Sequence, residues 1–302
     1  MKFNLLRGDI KLLKLMSEQY GQSKSSFYIY MILRLIVIAI IIISILNKHY
    51  EYLAQAFLAL VFFCLPPFFE RAFKADLPTI FEIIVLFFIF SANILGEIFS
   101  FYVKFPGWDT MLHTIYGFMC AALGFSLFDL LNKDLDSNAK FSMSRNFLCT
   151  FSVGFTMLVA VLWEFVEFGM DNLFGKDMQK DTIIKGFQTV MLDDTNSNIA
   201  VPVHDITSVT VDPYGTFPFN GYLDIGLYDT MKDMGVALLG AVIFCFFLNA
   251  YLKSNGQNKV AATLIPTRRN WDVEPPEIEA DLAKRIANLP EINEKEDNKD
   301  DK

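Results

Sequence analysis

Basic charge is scarce in this 302-residue chain. Its 26 Lys and Arg face 34 Asp and Glu, a formal net charge of −8. No cationic footprint for a nucleic acid is present. Cysteine is sparse too, and Cys64, Cys120, Cys149 and Cys245 all fall inside apolar runs. They read as small buried hydrophobes, not as a disulfide framework or a thiolate metal site. There is no P-loop, no His-Glu-x-x-His, no Gly-x-Ser-x-Gly and no internal repeat. Those gaps remove the phosphate-cradling and hydrolase scaffolds that such motifs mark. No cleavable signal peptide is expected: residues 1–26 are polar and amphipathic, and the first apolar run is long enough to span a membrane.

Apolar side chains are what the chain has in plenty. It is 53% hydrophobic and 15% aromatic, with 31 Phe, and its mean hydropathy is +0.34. Soluble domains run near 45–50% apolar. The excess sits in runs long enough to cross a ~30 Å hydrocarbon layer as helices. Six spans are expected, at about 27–46, 52–69, 80–102, 110–131, 147–170 and 230–252. The fold class is therefore an all-α integral membrane protein. Arg34 near the start of the first span can snorkel to the interface, and Pro66-Pro67 closes the second.

Basic residues near the span ends set the orientation. Lys2, Arg7, Lys11, Lys14 and Lys24 precede the first span; Arg71 and Lys74, then Lys133, Lys140 and Arg145, occupy the second and fourth connections. Both termini are expected in the cytoplasm of a multi-pass plasma-membrane protein. The Lys-rich composition, 19 Lys to 7 Arg, suits a low-GC bacterium. The domains then follow. Residues 1–26 form an amphipathic cytoplasmic lead-in suited to the membrane surface. Residues 27–252 form the six-span body. Residues 253–302 form a charged cytoplasmic tail, largely disordered, with a short amphipathic helix between its prolines. The connection 172–228 faces outside and is acidic, with seven Asp, no Glu and three Lys. Within it TSVTVDPYGTFPF alternates around a turn and predicts a β-hairpin, part of an ordered cap. LDDTNSN places Asp194, Asn196 and Asn198 at alternate positions like the start of a calcium loop, without the turn glycine or closing Glu.

Ionisable groups in membrane spans are costly and default to functional candidates. Glu97 lies near the end of the third span; Asp109 and His113 open the fourth in GWDTMLHTIYG. Glu164, Glu167 and Asp171 close the fifth in LWEFVEFGMD, and Asp229 and Asp233 open the sixth in YDTMKDMGVALLGA. All these ends lie on the outer side under the expected orientation. Asp109 and His113, like Asp229 and Asp233, are four apart, and Glu164 and Glu167 are three apart, so each pair shares a helical stripe. Converging stripes would gather about six carboxylates and one imidazole. So many anions in a low dielectric repel, and a divalent cation removes the problem. Oxygen-rich ligands with one His suit Mg, Mn, Ca, Zn or Fe. Glu97, Asp109, His113, Glu164, Glu167, Asp229 and Asp233 are the candidate ligands, with Glu164, Glu167 and His113 as candidate catalytic groups. Solvated helix caps are the bland reading, strongest for Asp109 and Asp229 at helix N-termini. Gly117, Gly124, Gly235 and Gly240 permit close helix approach.

The order Glu97, WDTMLHTIYGF, WEFVEF, DTMKDMGVALLGA resembles the YjdF-like family of bacterial membrane proteins. It is also similar, remotely, to the VanZ-like family, whose members carry an Asp-x-x-x-His span, acidic later spans and an Asp before a small-residue Gly-Ala end. The resemblance covers about 97–241, without the inserted outer loop and both tails. It supports the site and implies no activity; VanZ-like proteins are linked to glycopeptide resistance. Three function classes remain. The first is an outer-face metal-dependent enzyme working on a lipid or lipid-linked envelope substrate. The others are a cation- or proton-coupled transporter, which needs polar groups continuing to the cytoplasmic side, and a non-catalytic envelope assembly factor.

Overall fold

A computed structural model describes residues 24–73, 75–134 and 143–268. The expected surface helix before the first span, the amphipathic tail helix and the charged terminus lie outside the described residues. Six helices are long and apolar enough to cross a membrane: Ser25–Leu46, Tyr52–Phe73, Thr79–Ile98, Trp108–Asn132, Arg145–Phe174 and Leu227–Lys253. Their outward faces carry large apolar groups such as Ile42, Ile43, Phe57, Phe87, Phe165 and Phe246. A soluble protein could not leave so much apolar surface in water.

The chain divides into two compact units, 1–87 with 267–302, and 88–266. In the first, α1 (Lys24–Leu46) packs against α2 (Tyr50–Phe62). Val37, Ala56, Ala59 and Phe63 are fully buried there. The helix α3 (Leu65–Phe73) starts at the two prolines, which sit in its first turn. Proline is tolerated there because the first turn's N–H groups have no partner within the helix. The second apolar run therefore restarts at Pro66-Pro67 and does not stop. After α3, β1 (Ala75–Asp76) pairs antiparallel with β8 (Thr267–Arg268).

The unit boundary falls inside α4 (Thr79–Phe90). That helix widens into a π-helical segment, Ser91–Ile98. The segment ends at Ile98, four residues before the expected end of the third span, and Ser100 just beyond it turns left-handed, φ 59°. In the second unit, α5 (Phe101–Lys104) is a single turn. The long helices are α6 (Trp108–Asp134), α7 (Arg145–Phe174) and α8 (Leu227–Lys253). Each packs on the other two. Half of the α6 span is buried, against 22% for α7 and 28% for α8, so α6 is the central helix.

Glycine sets the closest approach. A Cβ on Gly117 would lie 2.0 Å from the Ala237 carbonyl oxygen, and one on Gly240 2.0 Å from the Thr114 carbonyl oxygen. The backbones of α6 and α8 are therefore in contact at both places. Gly124 faces the Phe155 ring of α7, whereas a Cβ on Gly235 would meet no neighbouring group within 4 Å.

Between α7 and α8 the chain makes three antiparallel two-strand ladders. β2 (Thr182–Ile184) pairs with β7 (Tyr222–Asp224), β3 (Phe187–Thr189) with β4 (Val201–Val203), and β5 (Thr210–Val211) with β6 (Gly215–Thr216). The last of these closes the turn where a hairpin was expected; the other two were not foreseen. LDDTNSN is organised by the neighbouring carboxylate and not in the manner of a calcium loop. Asp193 accepts from the amides of Thr195, Ser197 and Ile199 and from the Thr195 hydroxyl. The Thr195 hydroxyl and those amides hold its carboxyl down at about 2. Beyond α8 the described residues continue through α9 (Lys259–Ala262), capped by the Asn258 side chain at the Ala261 amide, to β8.

Candidate metal centre

The cluster forms where α6 begins, α7 ends and α8 begins. Asp109 stands in the first turn of α6 and Asp229 in the first turn of α8, where a helix dipole favours an anion. His113 and Asp233 follow one turn further in. The contacts at Gly117 and Gly240 bring these two stripes face to face. His113 Nε2 lies 3.5 Å from Asp109 Oδ1 and 3.6 Å from Asp233 Oδ2. One ligand atom from each of Asp109, His113 and Asp233 falls within 4.8 Å of the others.

These separations are long for hydrogen bonds. They match the edge of a tetrahedron drawn with ~2.0–2.2 Å bonds to one central ion, about 3.3–3.6 Å. The Asp233 side chain is only 2% exposed, and its Oδ1 makes no hydrogen bond; neither does Asp109 Oδ2. A buried carboxylate oxygen without such a partner is costly. Both oxygens instead face the Lys232 ammonium, at 3.4 and 3.2 Å, in ion-pair range without hydrogen-bond geometry. Lys232 Nζ donates to Asp229 Oδ1 at 2.7 Å. The sequence suggested a cation among these carboxylates; in the structure the chain's own ammonium reaches three of them.

The remaining candidates take different places. Asp229 is 4% exposed and also accepts the Lys180 amide at 2.8 Å, so both its oxygens are engaged. It stands outside the three-residue group and ties down the connection between α7 and α8. Glu164 and Glu167 are both buried on one stripe of α7. Glu164 Oε2 accepts from the Thr230 hydroxyl at 2.7 Å, and Thr230 Oγ1 accepts from Gln179 Nε2 at 2.6 Å. Glu167 Oε1 accepts from Trp163 Nε1 at 2.8 Å. Both carboxylates belong to the same electrostatic neighbourhood: Glu164 acts on His113, and Asp109 and Asp229 act on Glu167. Neither enters the three-residue group. Glu97 is exposed in the π-helical segment. It does not join the group either, although Glu97, Asp109, Glu167 and Asp233 all act on the Tyr102 hydroxyl. Asp171 accepts the amides of Met178 and Gln179 at 2.6 and 2.9 Å and is a loop anchor.

Thr230, Gln179 and the Lys180 amide were missed by sequence reasoning. Thr230 could have been found, since it precedes Asp233 by three positions on the same stripe. Gln179 and the Lys180 amide reach the site through the fold of the connection between α7 and α8 and leave no periodic signal. Against this region lies a cleft of about 520 Å³, lined by Phe168, Asp171, Gln179, Asp181, Ile225 and Thr230 among others. Thr230 thus touches both the cleft and Glu164. Partial desolvation, with repulsion from Asp177, raises the Asp181 carboxyl above its usual range.

Six membrane-long helices, with a partly buried acidic and histidine cluster gathered by α6 and α8, define a polytopic α-helical membrane protein. The chain belongs to the DUF2238 family of predicted membrane proteins, whose match covers residues 29–254. The YjdF-like resemblance is consistent with that membership, and the match says nothing of the VanZ-like likeness. No curated protein and no solved structure matches the chain.

Proposed function

We propose that this protein is a metal-dependent enzyme of the outer leaflet, acting on a lipid or lipid-linked envelope substrate. A divalent cation would be held by Asp109, His113 and Asp233. The carrying observation is the pair of 3.5 and 3.6 Å separations around His113 Nε2: too long to be hydrogen bonds, and the right length for ligands of one ion. One imidazole with two carboxylates suits Zn, Mn or Fe. Such an ion supplies Lewis acidity at a phosphoryl or carbonyl oxygen, or an activated water. Glu164 would take a proton relayed through the Thr230 hydroxyl, which lines the cleft and donates to it. Glu167, fixed by Trp163, is its partner in the same buried stripe.

The transporter reading finds less support. Further along α6 to α8 from the cluster, the buried polar side chains among the described residues are Ser126, Ser152 and Thr156. Each hydroxyl bonds back to the carbonyl four residues earlier. A polar path across the membrane is not supported, and a site open from one face is. Basic residues beside the spans support the orientation in which that face is the outer one.

Metal analysis of the purified full chain tests the reading. Wild type should carry close to one equivalent of a divalent ion, and Asp109→Asn with Asp233→Asn should carry none. Binding to the folded state alone adds ~2.7 kcal/mol at a hundredfold excess over Kd, so a chelator should lower the melting temperature of wild type only. Wild type without metal, melting identically with and without chelator, would refute the proposal.

A further inference from the structure

We propose that Cys149 and Cys245 form a disulfide site, a cross-link between α7 and α8 that a lipid-soluble oxidant of the quinone class can close. The inference stands apart from the metal reading. Both residues lie toward the helix ends remote from the acidic cluster, Cys149 in the second turn of α7 and Cys245 two turns before the end of α8. Their contacts are reciprocal. Cys149 Sγ lies 4.0 Å from the Cys245 carbonyl oxygen, and Cys245 Sγ lies 3.6 Å from the Cys149 carbonyl oxygen. The two thiols also share a hydrogen bond. A disulfide demands such opposition, because its Cβ atoms stand only about 3.8 Å apart. The other two cysteines are placed differently: Cys64 Sγ bonds to the Leu60 carbonyl on its own helix, and Cys120 is buried in α6 beside Tyr116.

Asn249 completes the arrangement. It follows Cys245 by one helical turn, and its Nδ2 donates to Cys149 Sγ at 3.5 Å and to the Cys245 carbonyl oxygen at 3.1 Å. An N–H aimed at sulfur steadies the negative charge left there when the thiol proton departs, and the thiolate is the reacting form. Both cysteines are half-buried, on helices long and apolar enough to cross the membrane. Charged, water-soluble thiols and oxidants enter hydrocarbon only at high cost, whereas a quinone dissolves in it. The step balances: both S–H bonds break, one S–S bond forms, and the quinone takes the two electrons and two protons to become a quinol. The bond would fasten α7, which carries Glu164, to α8, which carries its partner Thr230, and the two helices could no longer slide past each other.

The test uses the full chain in phospholipid vesicles, first reduced with dithiothreitol and then exposed to decylubiquinone. Non-reducing peptide mass spectrometry of wild type should show the peptides of Cys149 and Cys245 joined with loss of two hydrogen atoms, while Cys64 and Cys120 remain open to alkylation. The oxidised protein should melt several degrees above the reduced one, because the link constrains the unfolded chain. In Cys149→Ser and in Cys245→Ser the joined peptide and the melting shift should both be absent. Hexacyanoferrate(III), a charged oxidant kept out of hydrocarbon, should close the bond at least about tenfold more slowly than the quinone. Wild type whose Cys149 and Cys245 stay fully alkylatable after quinone treatment, with no change in melting, overturns the inference without any variant. Equal rates with the two oxidants overturn the assignment of a lipid-soluble one.

Discussion

Replacing Gly240 by alanine tests whether backbone contact between α6 and α8 builds the site. The added Cβ would stand 2.0 Å from the Thr114 carbonyl oxygen, while real Cβ contacts essentially never fall below 3.0 Å. The obstacle is backbone, so no rotamer change can relieve it. The two helices must separate by at least about 1 Å at that level, and overpacking of this kind costs about 1–3 kcal/mol. His113 immediately precedes Thr114, and Asp233 lies seven residues before Gly240 on the same face. An opening of that size would stretch the 3.6 Å separation of His113 and Asp233 to about 4.6 Å, beyond what ~2.0–2.2 Å bonds to one ion can bridge. Thermal unfolding in detergent should therefore show a lower melting temperature, and Zn2+ affinity should drop by more than tenfold. Gly235→Ala is the control. Nothing lies within 4 Å of its Cβ position, and alanine is about 1 kcal/mol better than glycine inside a helix. It should melt at or above wild type and bind Zn2+ normally. Equal behaviour of the two variants would refute the claim that the glycine contact sets the ligand geometry.

Three further outcomes follow from the contacts described. Thr230→Val leaves Glu164 Oε2 and Gln179 Nε2 without the bonds they share through Thr230; the loss of about 1–3 kcal/mol should lower the melting temperature and speed protease cleavage of the connection between α7 and α8, and unchanged values for both would contradict the relay. The Asp193 carboxyl, held at about 2 by the Thr195 hydroxyl and nearby amides, lies below its unfolded value of ~3.9, so it supports local order above about pH 4 and loses that role as pH falls through about 2; hydrogen exchange at Thr195, Ser197 and Ile199 should accelerate across that window in wild type and be fast throughout in Asp193→Asn. In a chain cleared of its native cysteines, Ser197→Cys should react with a membrane-impermeant thiol reagent in intact cells and Ser254→Cys should not; the opposite pattern would place the cluster on the inner face.

The six spans were legible because length and continuous apolarity carry that signal without any tertiary knowledge. The stripes on α6, α7 and α8 were legible because three- and four-residue spacing fixes a face. What spacing cannot supply is the rotation of each helix about its axis. That is why Glu97 looked like a ligand and is exposed, and why Asp229 looked like a ligand and instead holds Lys180 and Lys232. The same limit separates Gly235 from Gly240. Both sit on one small-residue helix, and only the second meets a neighbouring backbone. The ladders β2–β7 and β3–β4 were missed because three-residue strands are too short for alternation to show. Asp193 lay beside a motif, and its role depends on backbone direction in the following turn.

The excursion from Phe174 to Leu227 has a base clipped from both sides: Asp171 takes the amides of Met178 and Gln179, and Asp229 takes that of Lys180. Its two ends are held by helices that already pack together. Closing a chain between fixed ends becomes only ~0.6 kcal/mol harder for each doubling of its length. The excursion is therefore an exchangeable cassette. Its interior, beyond the ladder of β2 with β7, can be lengthened, trimmed or replaced by a foreign domain without disturbing the helices beneath, whereas a single insertion between Asp171 and Lys180 would unhook it.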